Sequence, residues 1–296
     1  MIKQKLKFLL MLIGLLIIGG LLKTIGLSNF INTIKDMNPY LILLSLIPWF
    51  LALLFGAYRL KTILKENISI KDSLKIYFSG FLLNYASFVQ GFGAGAKVIM
   101  LKRRKIPISK STASISAELL YDIFLSAIVA VIFSIYHFNF VIEQTRNLFS
   151  SYYSFALILA IVALILLIIF LKKNEHMKEY LKYLKTNFNL KNMGTFLPIT
   201  FLSWIMTSTA VFLFFRALGI DVSLWIILGG LTISFLLGLV SFIPGGLGVR
   251  DVIVSYIYSL AGISLETAIS VALFSRVYGI LSVSLFLIII RFKKAN

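Results

Sequence analysis

The amino-acid sequence predicts an all-α polytopic membrane protein with about six full spans and two re-entrant helical hairpins in an inverted-topology repeat. Three observations predict this fold class: apolar runs of spanning length, an uneven distribution of basic residues, and two similar segments interrupted by glycines. Hydrophobic residues make up 59% of the 296-residue chain, and charged residues only 14%. Crossing about 30 Å of hydrocarbon takes roughly 20 apolar residues. A membrane β-barrel would instead alternate apolar and polar residues, which these runs do not.

The apolar runs place six full spans along the chain, near residues 8–22, 40–58, 112–136, 152–171, 196–215 and 265–290. Glycines interrupt two further apolar stretches, 76–101 and 224–262. The basic start of the chain resembles a signal peptide, but a small-residue cleavage site is missing and more spans follow, which favours an uncleaved first helix. We expect one transmembrane domain over residues 1–296, with repeat-like halves at about 76–136 and 224–290.

The basic residues flank the apolar runs, although the formal net charge of +18 would also suit a nucleic-acid-binding protein. If both termini are cytoplasmic, the inner segments hold 22 Lys and Arg residues and the outer segments hold 4. This asymmetry follows the positive-inside rule and suits an anionic cytoplasmic leaflet. It predicts a multi-pass protein of the cell membrane with both termini cytoplasmic. No basic stretch comes with a recognisable nucleic-acid-binding module, so we expect no nucleic-acid partner.

The sequence offers little for covalent or metal chemistry. Cysteine is absent, so a disulfide framework, a thiolate metal site and a cysteine nucleophile are all excluded. The two histidines fall in predicted loops, which leaves little for a zinc site or a histidine-based triad. We therefore expect no metal, no cofactor and no recognisable catalytic site.

Two glycine-interrupted segments resemble each other. Residues 81–99 and 235–253 match at 8 of 19 positions with a constant offset of 154, including a Ser-Phe pair and the glycine three residues after it. The strongly basic segments 59–75 and 102–110 predict that the first hairpin enters from the cytoplasm and returns there. The ends of the second hairpin carry one basic residue between them, so parity places them outside. Related hairpins that enter from opposite faces are typical of transporters with inverted repeats.

The glycines of the second break, Gly245, Gly246 and Gly248, precede a possible half-helix. The N-terminus of such a helix exposes N–H groups and favours anions. Lys97 and Arg250 follow the two breaks and would add full positive charges. The alternative is that the glycines only let helices pack closely, which is common in membranes.

Several charged residues lie at membrane depth. Glu118 and Asp122 are four residues apart on one helix face, Arg250 and Asp251 adjoin the second break, and Arg276 lies within the last span. A charge at the bilayer centre costs at least about 2.5–3.5 kcal/mol, so such groups face a partner or a water-filled path. They either fasten the two halves together or contact a substrate or proton. The candidate substrate-binding residues are Lys97, Glu118, Asp122, Gly245, Gly246, Gly248, Arg250, Asp251 and Arg276.

The segment "FIPGGLGVRD", with a following helix that contains "LFSRVYGI", resembles the signature of the lysylphosphatidylglycerol synthetase/flippase transmembrane family, also called flippase-like integral membrane proteins. In the first half, "LKRRKIPISKSTASISAELLYD" is similar to the family's basic loop and acidic helix. The chain departs from the pattern at Leu119, where the family often has arginine, and at Ala96-Lys97, where it often has an acidic residue. The resemblance implies a transmembrane domain without the cytosolic synthetase domain of aminoacyl-lipid members.

The resemblance also implies a function, which is translocation of an anionic or aminoacylated phospholipid, or a related lipid carrier, between leaflets. Membrane phospholipids would be the partners, and a homo-oligomer or a separate lipid-synthesising enzyme remains open. A second hypothesis is a secondary transporter of a small anion, proton-coupled through Glu118 or Asp122. A third is an intramembrane lipid transferase with Asp122 or Asp251 as general base.

Overall fold

The computed structural model describes residues 15–65, 68–86, 92–136, 175–241, 243 and 246–292, and all regular structure within them is helical. Four helical segments of this part of the chain are long and apolar enough to cross a membrane: Pro39–Leu64, Ile108–Tyr136, Leu190–Ala217 and Leu265–Ile290. They coincide with the spans predicted near 40–58, 112–136, 196–215 and 265–290. The predicted span at 152–171 lies outside the described residues.

The first two described helices form a bent pair. Helix α1 (Leu15–Ile25) and helix α2 (Leu27–Lys35) meet at 76°, and together they are long and apolar enough for one span. Gly26 joins them with a φ of 79°, a conformation that glycine adopts without a Cβ penalty. The predicted span 8–22 is described from residue 15 onward and continues past its predicted end into this bend.

Helices α3 (Pro39–Leu44) and α4 (Leu46–Leu64) make up the next span. The Asn38 side chain caps α3 by accepting the Tyr40 N–H at 3.0 Å. Helix α4 continues past the predicted end of the span at residue 58, and Arg59 lies inside it, only 3% exposed. The assignment of Arg59 to the basic cytoplasmic segment is therefore wrong. The buried face of the helix continues through Leu60, Ile63 and Leu64. Arg59 is buried because these neighbours pack against the rest of the protein.

The first hairpin consists of α5 (Ile70–Ala86) and α6 (Phe92–Lys102), which pack against each other. Ser69 caps α5 by accepting the Asp72 N–H at 3.1 Å. A Cβ at Gly93 would collide with the carbonyl oxygen of Gly80, so this glycine allows the two helices to approach closely. Gly93 thus lies inside α6, and the packing reading of the glycines holds at this position.

The long helix α7 (Ile108–Tyr136) follows the first hairpin, and α8 (Glu175–Asn187) packs against it. The Tyr121 hydroxyl, on α7, donates to the Asn187 carbonyl at 2.7 Å. Helix α9 (Leu190–Ala217) begins at an Asn189 cap, whose side chain accepts the Asn192 N–H. Helix α9 then packs along α4, which brings polar residues of α9 against Arg59.

The second hairpin consists of α10 (Leu224–Val240) and α11 (Val249–Leu260), and the long helix α12 (Leu265–Phe292) follows it. Between α10 and α11, Gly246 and Gly248 have φ values of 63° and 75°. These are left-handed conformations that favour glycine, so the predicted break in this apolar stretch is confirmed. Ser264 begins α12 by accepting the Thr267 N–H at 3.3 Å.

Packing between the hairpins and the long helices is reciprocal. The second helix of each hairpin contacts the long helix that follows it, α6 with α7 and α11 with α12. The first helix of each hairpin contacts the long helix of the other half, α5 with α12 and α10 with α7. A core of buried aromatic side chains, which includes Trp49, Phe78 and Phe214, packs beneath this arrangement. The contacts of α6 with α7 and of α11 with α12 each include an ion pair, Lys97 with Glu118 and Arg276 with Asp251.

Candidate functional site

Two adjoining cavities lie between the two halves. The larger has a volume of about 380 Å³ and the smaller about 250 Å³. They share six lining residues, which come from α5, α7, α10 and α11: Tyr77, Phe81, Asn84, Asp122, Phe235 and Arg250. We call the two cavities together the chamber. Its walls combine aromatic rings with charged groups, which is typical of a ligand site.

Arg59 and Asp122 form the first ion pair of the chamber. The two terminal nitrogens of Arg59 donate to the two carboxylate oxygens of Asp122 at 3.0 and 2.8 Å, a bidentate arrangement. Arg59 also donates to the Thr200 hydroxyl at 2.6 Å, and the Trp204 indole N–H donates to Asp122 at 3.2 Å. Because three helices contribute to this cluster, it ties α4, α7 and α9 together next to the larger cavity.

Lys97 and Glu118 form the second pair, between α6 and α7. The Lys97 ammonium lies 3.1 Å from Glu118 Oε2 and 4.2 Å from the centre of the Tyr77 ring. The Glu118 side chain is 4% exposed, and its Oε1 has no hydrogen-bond partner in the described part of the chain. Arg59 Nε is 4.0 Å from that oxygen. The two cations therefore share the negative charge of Glu118 unequally, with the short contact to Lys97.

Asp251 and Arg276 form the third pair, between α11 and α12. Arg276 Nε lies 2.6 and 2.8 Å from the two oxygens of Asp251, and Arg276 also donates to the Gly246 carbonyl at 3.2 Å. Asp251 Oδ2 accepts the N–H of Gly248 at 3.0 Å and so caps α11. The N–H of Gly248, expected to bind a substrate anion, is therefore already bound by a carboxylate of the chain itself.

Arg250 differs from the other three cations of the chamber. Within the described residues its guanidinium has no carboxylate partner, and it lies 5.8 Å from the centre of the Phe235 ring. Gly238 and Gly246 make room for its stem, since a Cβ at either position would come within 2.5 Å of the Arg250 side chain. Arg250 lines both cavities. It is the cation that can bind an incoming anion without first losing an ion pair.

The chain is similar to a known family of membrane proteins. The family model of the lysylphosphatidylglycerol synthase TM region matches residues 9–286. The chain belongs to this family. That range includes every residue that lines the chamber, and the four apolar helices of spanning length in the described residues agree with a multi-pass membrane protein.

Two known proteins are similar to this chain over most of their length. A UPF0104 membrane protein of Methanothermobacter thermautotrophicus is 23% identical over 292 residues, which cover 86% of each chain. The UPF0104 membrane protein PH1989 of Pyrococcus horikoshii is 23% identical over 309 residues, which cover 91% of this chain and 92% of the relative. A second Methanothermobacter protein with the same description is 23% identical over 185 residues, which cover 62% of this chain and 53% of that protein.

Most of the residues predicted from the sequence meet at the chamber in this family member. Those that line it are Lys97, Glu118, Asp122, Gly246, Arg250, Asp251 and Arg276. The N–H of Gly248 instead donates to the Asp251 carboxylate that caps α11. Gly245 lies outside the described residues. In the described ranges, no three His, Asp or Glu side chains come together in a group that could hold a metal ion.

Arg59 is the charged residue of the chamber that the sequence analysis placed elsewhere. It follows an apolar run directly, as the cytoplasmic cations do, and so it looked like one of them. The signal that could have identified it is the continuation of apolar residues at Leu60, Ile63 and Leu64, at helical spacing past the charge. Asn84 is a second polar residue of both cavities, and nothing in the sequence distinguished it from other asparagines.

Proposed function

We propose that this family member moves the phosphate-bearing headgroup of a membrane lipid through the chamber, from one leaflet of the cell membrane to the other. Both termini would be cytoplasmic and membrane phospholipids would be the partners. The observation that carries this proposal is Arg250, which lines both cavities and has no carboxylate partner among the described residues. A guanidinium binds a phosphate through paired, charge-assisted hydrogen bonds, so Arg250 can hold a headgroup in either cavity.

The lengths of the hairpin helices support an inverted repeat of re-entrant hairpins. Helices α6 and α11 have 11 and 12 residues, which correspond to about 16 and 18 Å at 1.5 Å per residue. That is little more than half of a hydrocarbon core of about 30 Å. Adding the sequence offset of 154 to the bounds of α5, Ile70–Ala86, gives the bounds of α10, Leu224–Val240. Rocking of one repeat against the other would open the chamber to each face in turn.

The ion pairs are also related by this offset. Adding 154 takes Lys97 to Asp251 and Asp122 to Arg276. Each half thus places a charge on the second hairpin helix and the opposite charge on the long helix that follows, with the signs exchanged between halves. In the first half, Lys97 pairs with Glu118, one turn before Asp122, and Asp122 pairs with Arg59. Equivalent contacts between hairpin and long helix suit a mechanism in which both hairpins move in the same way.

The rim of the larger cavity favours a lipid over a small soluble anion. Leu119 and Leu239 line this cavity, and Leu119 is 41% exposed on the outer face of α7. An apolar rim next to the hydrocarbon lets acyl chains remain in the bilayer while the headgroup enters the chamber. A small anion has no use for such a rim.

The pairing of the carboxylates argues against the transferase hypothesis. Asp122 accepts hydrogen bonds from Arg59 and Trp204, and Asp251 accepts from Arg276 and Gly248. A general base must reach the proton that it removes, and both carboxylates are already engaged. We therefore propose a transporter that makes and breaks no covalent bond in its substrate.

The test is leaflet exchange of labelled phospholipids in proteoliposomes that contain the full chain. We expect exchange faster than in empty vesicles and a loss of most of this acceleration in Arg250→Gln. Arg216→Gln is the matched control, because Arg216 is an exposed arginine that pairs with Asp221 outside the chamber, and it should exchange lipids like the wild type.

Exchange no faster than in empty vesicles, for both anionic and aminoacylated phospholipids, contradicts the proposal. Uptake of a soluble anion that depends on a pH gradient, with no lipid exchange, would support the secondary-transporter hypothesis instead.

A further inference from the structure

We infer that the chamber selects a monoanionic phosphodiester whose headgroup is otherwise uncharged, and that it excludes headgroups that carry an amine. This inference rests on the proposed function, because it names the class of lipid that the same chamber takes. It decides between the anionic and the aminoacylated phospholipids that the sequence left open. Charge balance, the engagement of the carboxylates and the neutral polar lining each support it.

The charge balance of the chamber comes first. Its lining includes four cations, Arg59, Lys97, Arg250 and Arg276, and three carboxylates, those of Glu118, Asp122 and Asp251. When all are ionised, their charges sum to +1. One phosphodiester with a single negative charge brings that sum to zero. A zwitterionic headgroup leaves it at +1, and an aminoacylated headgroup with a net positive charge raises it, which costs most in a medium of low dielectric constant.

Each carboxylate of the chamber is already paired with a cation of the chain. Both oxygens of Asp122 accept from Arg59, and both oxygens of Asp251 accept from Arg276. Glu118 Oε2 is bound to Lys97, and Glu118 Oε1 is buried with Arg59 Nε 4.0 Å away. An ammonium inside the chamber would have to break one of these pairs or remain without an anionic partner, and a desolvated charge without a partner is strongly unfavourable.

A neutral polar group, in contrast, finds partners in the chamber. The Asn84 side-chain amide lines both cavities, and an amide both donates and accepts hydrogen bonds. Ser234 and Ser275 line the smaller cavity. Such groups can hold the hydroxyls of a glycerol-like headgroup while Arg250 holds the phosphate. The lining therefore matches one negative charge and several hydroxyls.

The test is a binding competition followed by native mass spectrometry of the full chain. Phosphatidylglycerol, phosphatidylethanolamine and lysyl-phosphatidylglycerol are offered together at equal concentrations. Loss of a charge-assisted hydrogen bond changes binding by roughly tenfold or more, so we expect the chain to retain phosphatidylglycerol at least about tenfold over either amine-bearing lipid. Arg250→Gln should lose the preference, Arg250→Lys should keep part of it, and Arg216→Gln should bind like the wild type.

Two variants should invert the selectivity. Arg276→Gln frees Asp251, and Lys97→Gln frees Glu118; each brings the summed charge to zero and provides an acceptor for an ammonium group. We expect phosphatidylethanolamine to gain relative to phosphatidylglycerol in both. If Arg276→Gln does not fold, Lys97→Gln provides the same test. If neither variant folds, the competition between the three lipids for the wild type tests the inference.

Retention of an amine-bearing lipid by the wild type as well as phosphatidylglycerol, or a folded variant with unchanged selectivity, overturns the inference. Leaflet exchange of the same three lipids separates it from the proposed function. Selective binding without any exchange would support the headgroup assignment and contradict translocation. Equal exchange of all three lipids would support translocation and contradict the headgroup assignment.

Discussion

Arg59 has several partners in the chamber, with Asp122, Thr200 and Glu118 around it. In Arg59→Met the half-buried carboxylate of Asp122 loses its bidentate partner, and the buried carboxylate of Glu118 loses a neighbouring cation. Removing one member of a buried ion pair costs about 3–5 kcal/mol because the other charge stays uncompensated. We therefore expect a clear fall in the thermal midpoint of the detergent-solubilised protein, measured by intrinsic fluorescence.

Arg216→Gln provides the comparison for this variant, because Arg216 pairs with Asp221 at 2.7 Å while the Asp221 side chain is 77% exposed. An exposed pair contributes only about 0–1 kcal/mol, so its midpoint should hardly change. In Arg59→Met combined with Asp122→Leu no buried charge of that pair remains, and most of the stability should return. Equal shifts for the two arginine variants would show that burial of Arg59 is not what stabilises the protein.

The Asp72 carboxyl group should make the stability of the protein depend on pH. Burial alone would raise the pKa of its carboxyl group, but hydrogen bonds from Ser69 and Arg104 and the charge of Arg104 outweigh burial and lower it. The ion pair with Arg104, at 2.6 Å, joins the start of α5 to the loop after α6. Since the folded-state pKa is lowered, this stabilisation is complete above the ordinary carboxyl pKa and is lost as the pH falls below about 4.

The variant Asp72→Asn should therefore be less stable than the wild type at pH 7, and the difference should shrink as the pH is lowered through the carboxyl range. Thermal midpoints of the two proteins, measured from pH 7 to pH 3, give this difference directly. A difference that stays constant over that range would mean that the carboxylate charge of Asp72 contributes nothing.

The sequence predicted every charged residue of the chamber except Arg59, because a charge at membrane depth requires a partner or water wherever it lies. It did not predict which charges pair. Arg59 and Thr200 are 141 residues apart in the chain, and only the packing of α9 along α4 brings them together. Whether a cation at the end of an apolar run faces the solvent or the protein depends on such contacts, and composition does not contain them.

At the scale of single elements, the contact between α5 and α6 depends on Gly93. In Gly93→Ala the new methyl group would collide with the Gly80 carbonyl oxygen, a backbone atom that cannot rotate away. Overpacking of this kind costs about 1–3 kcal/mol, so we expect a lower thermal midpoint and a less stable first hairpin.

Gly95 lies two residues further along the same helix, and a Cβ there would have no neighbour within 4 Å. Alanine is favoured over glycine in a helix by about 0.8–1.0 kcal/mol, so Gly95→Ala should keep or slightly raise the midpoint. If Gly93→Ala were as stable as Gly95→Ala, the close approach of α5 and α6 would be wrong.

The two glycine clusters have different roles, although they look similar in the sequence. In the second cluster, Gly246 and Gly248 form the predicted break, with positive φ values between two helices. In the first, Gly93 and Gly95 lie inside α6. Both a tight turn and a close helix contact require the absence of a Cβ, so the sequence alone does not separate them. The second cluster also contains Pro244 and the adjacent glycines Gly245 and Gly246, and the first cluster has neither a proline nor adjacent glycines.

At the scale of the whole molecule, the sequence offset of 154 between the two similar segments also relates the bounds of α5 to those of α10. The offset did not reveal that each of these helices packs on the long helix of the other half. Both halves therefore contribute lining residues to each cavity of the chamber. A movement of one half against the other would change the contacts of both hairpins at once.

The last prediction concerns topology and tests the proposal that the two hairpins enter the membrane from opposite faces. The chain has no cysteine, so single cysteines report their own side of the membrane. Arg103 lies in the loop between α6 and α7, Ala261 lies in the loop between α11 and α12, and both are exposed. If the basic loops are cytoplasmic, a membrane-impermeant maleimide should label Ala261→Cys in intact cells and Arg103→Cys only after permeabilisation.

The two positions are separated by one half of the repeat, so their sides test the inverted topology and not only the orientation of the chain. Labelling of both from the same side would mean that the hairpins enter from one face. In that case rocking of two opposed repeats would be impossible, and the chamber would open toward one leaflet only. Labelling from opposite sides, with the assignment reversed, would keep the repeat and overturn the placement of the termini. Because the chamber lies between the hairpins, its access to both leaflets depends on this result.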